Sequence, residues 1–240
     1  VITPLYGQLC PLTQSRGGLP ARWNGIVSCW HLEETSGSRV DAVGSNTLTE
    51  SAVSTGYGTG LLGTNAAKFD LNANQYLYCN DNATIRSGDF NFAWSAWVKP
   101  TTLPGYWTPF GKWDGLNKRE WAALGIGTKI SLYYMKGGVQ FGPFEAPTVL
   151  SVGAWALLFV WYDATADTFN LQVNNGTIAT ASLAGGPDAT AGRFTLGVHD
   201  GGTSPMNGLL DECLHWKTTI PSAADRTAIY NGGSGLAYPN

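Results

Sequence analysis

The side chains able to do chemistry are few and scattered in this 240-residue chain. Cysteines stand at 10, 29, 79 and 213, and histidines at 31, 199 and 215. No two cysteines lie within five residues, so the short spacings of a zinc motif are absent. Asp211 and Glu212 are adjacent, and neighbours in a regular strand point to opposite faces, which denies them a shared acid–base role. His199 and Asp200 are also adjacent, but no Gly-x-Ser-x-Gly turn supplies a nucleophile. Gly58-x-Gly60-x-x-Gly63 has dinucleotide-loop spacing, yet it lies in a Gly-rich turn with no helix after it. A non-catalytic chain is expected.

The dense chemistry is aromatic. Between Gly105 and Trp121 lie Tyr106, Trp107, Phe110, Trp113 and Trp121, interleaved with Lys112, Asp114, Asn117, Lys118, Arg119 and Glu120. Aromatic faces beside hydrogen-bonding groups suit pyranose rings, whose C–H faces stack while their hydroxyls are bridged. Tyr106, Trp107, Trp113, Lys118, Arg119 and Trp121 are therefore the candidate ligand-binding residues, with Tyr133, Tyr134 and Trp216 extending the surface. The competing reading is ordinary core, because strand alternation buries about half of such a set.

Composition limits the remaining classes. Charged residues make up 13%, against roughly 25% for an ordinary domain, and aromatic residues 12%. With 31 Gly and 12 Pro, long helical architectures are excluded, and so much apolar surface excludes intrinsic disorder. The net charge is −3 with no basic run, which gives nucleic acid no purchase. The longest apolar run, Ala154–Tyr162, is too short for membrane insertion. The chain opens at Val1 with no charged or apolar leader, so any secretion signal is expected to have been removed or never present. Sparse charge, much Thr, Ser and Asn, and four cysteines suit an extracellular, virion or cell-surface setting that permits disulfides, with buried free thiols as the alternative. Asn82-Ala83-Thr84 and Asn175-Gly176-Thr177 are glycosylation sequons in expected turns.

The elements that must position these residues are strands. Residues 1–24 hold three Pro and a Gly17-Gly18 pair without alternation, and read as an extended N-terminal arm. Residues 25–240 read as one domain. Strand patterns fall at Ile26–Leu32, Ala66–Asp70, Gln75–Cys79, Phe90–Lys99, Thr108–Trp113, Arg119–Ile126, Lys129–Lys136, Trp155–Tyr162, Thr168–Val173, Thr177–Leu183, Phe194–Val198 and Leu209–Trp216. Asn175-Gly176 is expected to turn the hairpin between two of them. Ser222 with Asp225 three residues on signals one short helix, stopped near Gly232. The class is an all-β sandwich with a short C-terminal helix.

Six collinear segments from about Gly25 to Tyr230 resemble the laminin-G-like domains of the concanavalin A-like lectin/glucanase superfamily. They are Trp30-His31-Leu32-Glu33-Glu34-Thr35-Ser36-Gly37; Ala67-Lys68-Phe69-Asp70 with Tyr76-Leu77; Phe92-Ala93-Trp94-Ser95-Ala96-Trp97-Val98-Lys99-Pro100; Gly153-Ala154-Trp155 then Tyr162-Asp163; Leu171-Gln172-Val173-Asn174-Asn175-Gly176; and Gly208-Leu209-Leu210-Asp211-Glu212 with Ala228-Ile229-Tyr230. The resemblance implies a jelly-roll sandwich of two antiparallel sheets. It implies neighbouring, antiparallel first and last long strands, which would let Cys29 pair with Cys213 and leave Cys10 to tether the arm through Cys79. It also implies a structural calcium site, for which Asp41, Asp211 and Glu33 are the matching side chains; the alternative is that these carboxylates organise turns. Glycosidases of the superfamily carry Glu-x-Asp-x-(x)-Glu on one strand, and Leu209–Leu214 lacks one of those acids. The expected function is a non-catalytic extracellular recognition module whose partner is a glycan. The alternative is a structural protomer of an extracellular assembly or virion surface, joined to neighbouring copies through its arm.

Overall fold

The computed structural model describes residues 19–51, 53, 55–115, 118–198 and 202–239. In chain order the strands are β1 (Ile26–Trp30), β2 (Thr49–Glu50), β3 (Gly56–Thr59), β4 (Asn65–Phe69), β5 (Leu77–Cys79), β6 (Phe92–Pro100), β7 (Tyr106–Asp114), β8 (Lys118–Ile126), β9 (Lys129–Lys136), β10 (Val139–Val149), β11 (Ala156–Asp163), β12 (Thr168–Val173), β13 (Ala179–Ser182), β14 (Phe194–Leu196) and β15 (Gly208–Lys217). One sheet runs β13-β12-β11-β6-β15-β4-β3, with β1 also on β15, and the other runs β10-β9-β8-β7-β14-β5-β2. Every pairing is antiparallel.

Period-two alternation builds the space between the sheets. Phe92, Trp94, Ala96 and Val98 of β6 meet Trp107, Phe110, Trp121 and Tyr134 of the opposite sheet there. The other face of β6 is apolar too: Ala93 and Trp97 join Trp23, Cys29, Phe159, Trp161, Leu214, Trp216 and Ile229 in a second cluster. A third layer therefore covers the outside of the eight-stranded sheet, formed by the turn at Ala21–Trp23, the helix α1 (Ala223–Tyr230) and the segment after it. Ser222 and Asp225 close a reciprocal capping box at the start of α1, and Asn231 ends it in a left-handed conformation.

The strand β15 changes neighbours along one edge. Its first part, Gly208–Leu210, pairs with β4, and Cys213–Trp216 pairs with β1. At the changeover the register against β6 shifts between Asp211 and Leu214, and Glu212 takes φ 46°. Leu210 and Cys213 both face the inter-sheet core, so Asp211 and Glu212 both face outward. The expected opposition of these acids fails because a bulge inserts an extra residue.

The same strand pair rules out the Cys29–Cys213 disulfide. Ile26 pairs with Trp216, but a register shift between Ile26 and Ser28 then aligns Cys29 with Leu214 and Trp30 with Cys213. Cys29 faces the outer cluster and Cys213 the inter-sheet core, and both are free thiols. Two side chains on opposite faces of a sheet cannot be bridged. Cys79 is also a free thiol, its Sγ 3.5 Å from the carbonyl of Asn80; Cys10, the partner expected for it, lies outside the described residues. Of the expected arm, residues 1–18 lie outside the described residues, and Trp23 is buried against Trp216. The hairpin after β12 turns at Asn174, φ 56°, with Gly176 N–H donating to Val173 O.

Candidate binding site

Alternation sorts the aromatic segment into two sets. Trp107 and Trp121 are wholly buried, their indole N–H groups donating to Gly127 O at 3.1 Å and Ser87 Oγ at 3.0 Å. They are core, as are Tyr134 and Trp216, and are removed from the candidate surface. Tyr106, Trp113, Arg119 and Tyr133 line a groove of about 310 Å³ together with Leu124, Gln140 and Ser204. Tyr106 is 60% exposed at the rim. The Arg119 guanidinium lies 5.2 Å from the Trp113 ring centre, and its Nε donates to Gly115 O at 2.7 Å, which fixes the plane it offers. Burial pushes the Tyr133 phenol above its usual range, so it stays a neutral donor and acceptor. Lys118 borders a different depression with Asp81, Arg86 and Arg193.

Sequence reasoning missed Gln140 and Ser204. Gln140 belongs to β10, a strand interrupted by Gly142, Pro143 and Pro147 and not among the expected ones. Ser204 follows β14 at a positive φ of 53°.

The acids expected for calcium are engaged elsewhere. Asp41 Oδ1 accepts from the backbone N–H of Cys29, Val43 and Gly44, and Oδ2 from Asn46. Glu33 accepts from Thr64 and Asn65 N–H, and Asp211 Oδ2 from Leu61 and Leu62 N–H. Calcium takes six to eight oxygens gathered around one point. Among the described residues Asp41, Asp211 and Glu33 do not bring three oxygens within 4.8 Å of one another, and these carboxylates tie turns to strands. Of the oxygens of these three acids, Asp211 Oδ1 is buried without a partner, and burial pushes that carboxyl up to about 7.

A second cluster lies at the β15 changeover. His31 Nδ1 is 2.7 Å from Glu212 Oε2, and Cys29 Sγ is 3.8 Å from both ring nitrogens of His31 and 3.9 Å from Glu212 Oε1. His31 and Glu212 line a cavity of about 670 Å³ with Glu33, Glu34, Thr64 and Tyr238. The three residues are far apart in sequence, and no local spacing announces them.

The sequons differ. The Asn82 amide is engaged at both ends, Oδ1 accepting from Thr84 N–H and Nδ2 donating to Asn46 Oδ1, so it caps a turn. Asn175 is exposed, with Oδ1 accepting from Thr227 Oγ1.

Among known proteins, the laminin G family profile of the concanavalin A-like lectin/glucanases superfamily matches residues 70–224. No curated protein matches the chain in sequence. The binding domain of Paraclostridial Mosquitocidal Protein 1 superposes with a TM-score of 0.68 at 12% identity, over 88% of this chain and 53% of that one. Domain 4 of AbnA, a GH43 extracellular arabinanase from Geobacillus stearothermophilus solved with arabinotriose, superposes at 0.65 and 16% identity, over 85% and 97%. The botulinum neurotoxin serotype G binding domain superposes at 0.63 and 12% identity, over 87% and 51%. The chain thus spans about half the length of the toxin binding domains. At these identities the likeness is one of fold.

Proposed function

The chain belongs to the concanavalin A-like lectin/glucanases superfamily, and we propose that it is a non-catalytic recognition module, acting outside the cell, that holds carbohydrate in the groove of Tyr106, Trp113 and Tyr133. The observation that carries this reading is the groove itself, where the exposed ring of Tyr106 and the half-buried ring of Tyr133 lie beside Arg119 and Gln140 over the buried Trp113. A ring stacked on Tyr106 would have its hydroxyls within reach of a guanidinium already oriented by Gly115 O. The arabinotriose complex of AbnA domain 4 supports sugar binding on this architecture.

The test is a glycan array followed by titration of the hits against variants. Tyr106→Ala removes an exposed stacking face and is expected to weaken binding about tenfold at most. Arg119→Ala is expected to weaken it about 10- to 100-fold through lost charged hydrogen bonds. Lys118→Ala, outside the groove, should leave affinity within about twofold. An array without hits, or equal affinity in both groove variants, rejects the reading.

A second reading, assembly with neighbouring copies, is favoured by β10. It is the terminal strand of its sheet and exposes Val139, Phe141 and Val149. Light scattering across a concentration series separates the two: a constant monomer mass removes the assembly reading.

A further inference from the structure

We propose that Cys29, His31 and Glu212 form a binding site for a thiophilic divalent cation of the zinc type, open to the cavity beside them. One thiol, one imidazole and one carboxylate offer ligand atoms that all lie within 4.8 Å of one another. Zinc bonds of about 2.0–2.3 Å at tetrahedral angles need ligand atoms roughly 3.4–3.6 Å apart. The Sγ···N separations of 3.8 Å and the Sγ···Oε1 separation of 3.9 Å are close to that. The His31 Nδ1–Glu212 Oε2 contact, at 2.7 Å, is shorter than that and must open to admit an ion.

The fold holds these donors with some effort. Glu212 is a non-glycine residue at φ 46°, in the bulge where β15 leaves β4 for β1, and its carboxylate is aimed outward by that conformation. The backbone N–H of Tyr238 donates to Glu212 Oε1 at 2.5 Å and orients it, as an outer-shell partner of a metal ligand does. Cys29 is wholly buried and Glu212 nearly so, while His31 is 20% exposed toward the cavity. Because His31 and Glu212 line the cavity while Cys29 is out of solvent, water or an outside ligand would reach an ion held by the three from the cavity side. A thiolate and an imidazole select zinc over calcium, which prefers oxygen alone. On binding, the Cys29 Sγ–H proton passes to solvent, and the His31 nitrogen that becomes a ligand is freed, its proton passing to solvent from an imidazolium or to the other ring nitrogen of a neutral ring. The site is independent of the carbohydrate groove, which lies on the other sheet.

The probe is Co²⁺ added to the reduced full chain, read by its thiolate-to-cobalt charge-transfer absorption, then displaced with Zn²⁺. The expected result is a band that appears at one equivalent, is bleached by zinc and is untouched by calcium. Cys29→Ser should abolish it, and Cys213→Ser, on the opposite face, should keep it. If Cys29→Ser does not fold, His31→Ala and Glu212→Gln at the cavity wall decide, each expected to lower cobalt affinity more than about 100-fold, beyond the 10- to 100-fold of an outer-shell change. No band in the wild type, a band that survives in Cys29→Ser, or unchanged affinity in both wall variants overturns the proposal.

Discussion

His215 stands on β15 out of solvent, its ring stacked on Trp94 with centroids 3.7 Å apart and its Nδ1 without a partner. Burial holds its pKa well below the usual value, and the positive charges of Lys217 and Lys112 push the same way. Its cross-strand neighbours are Ser28 and Trp94, which bring no counter-charge. The unfolded chain takes up a proton near pH 6.5 that the folded state refuses, so stability falls as pH drops below about 6.5 and this residue has no effect above it. His215→Phe keeps the stacked ring and should remove roughly 2 kcal/mol of the stability lost between pH 6.5 and 5, measured by urea unfolding at both pH values. An unchanged acid slope would refute the assignment. Residue-level legibility was uneven for a physical reason. Tyr106, Trp113 and Arg119 could be named because their types announce stacking and hydrogen bonding. Whether Trp107 or Trp113 faced outward depended on register shifts in β7 at Trp107–Phe110 and Lys112–Trp113, which no composition reveals.

Among the elements, those with clean alternation were read closely and those with backbone-determined geometry were not. The expected Lys129–Lys136 and Thr168–Val173 strands coincide with β9 and β12. Gly58–Gly63 reads as a Gly-rich turn, yet β3 runs into it, and β10, with Pro143 and Pro147 inside it, is not among the expected strands. An edge strand tolerates proline, since it lacks a neighbour to receive one side of its ladder. The helix was legible through its cap, and Ser222→Ala should cost about 1 kcal/mol in urea unfolding by removing the bond to Asp225 N–H. Gly125 gives a sharper element-level prediction. A Cβ there would overlap the Trp107 indole, inside the wall between β7 and β8. Gly125→Ala must displace a fully buried indole and is expected to destabilise by about 1–3 kcal/mol; a loss below about 0.5 kcal/mol would mean that the indole is not wedged there.

At the scale of the molecule, 13% charge and 12% aromatic content have a common cause. Three apolar clusters are filled, one between the sheets, one between the eight-stranded sheet and its outer layer, and a small one of Trp113, Ala122 and Met135. Several of the few charges are also inside: Lys112 sits between Asp81 at 2.7 Å and Glu120 at 3.1 Å, and the Arg226 guanidinium covers the Trp161 ring at 4.2 Å. The outer layer was not legible, because it joins distant parts of the chain. Trp23 stacks on Trp216 at 6.4 Å and meets Tyr238 edge-on at 5.3 Å, while the indole N–H of Trp216 donates to Arg22 O. The two ends of the described chain are thus held by each other across β1, and β1 in turn carries Cys29. If this layer is one cooperative unit, Trp23→Ala should cost about 3–5 kcal/mol, as removal of a buried indole does. Amide exchange should then quicken across β1 and around Tyr238 while β7, β8 and β9 stay protected, because those strands share no contact with the lost ring. Uniformly faster exchange in both sheets would mean that the outer layer opens only with the whole sandwich, and that Trp23 is a general contributor to stability instead of the clasp of one layer.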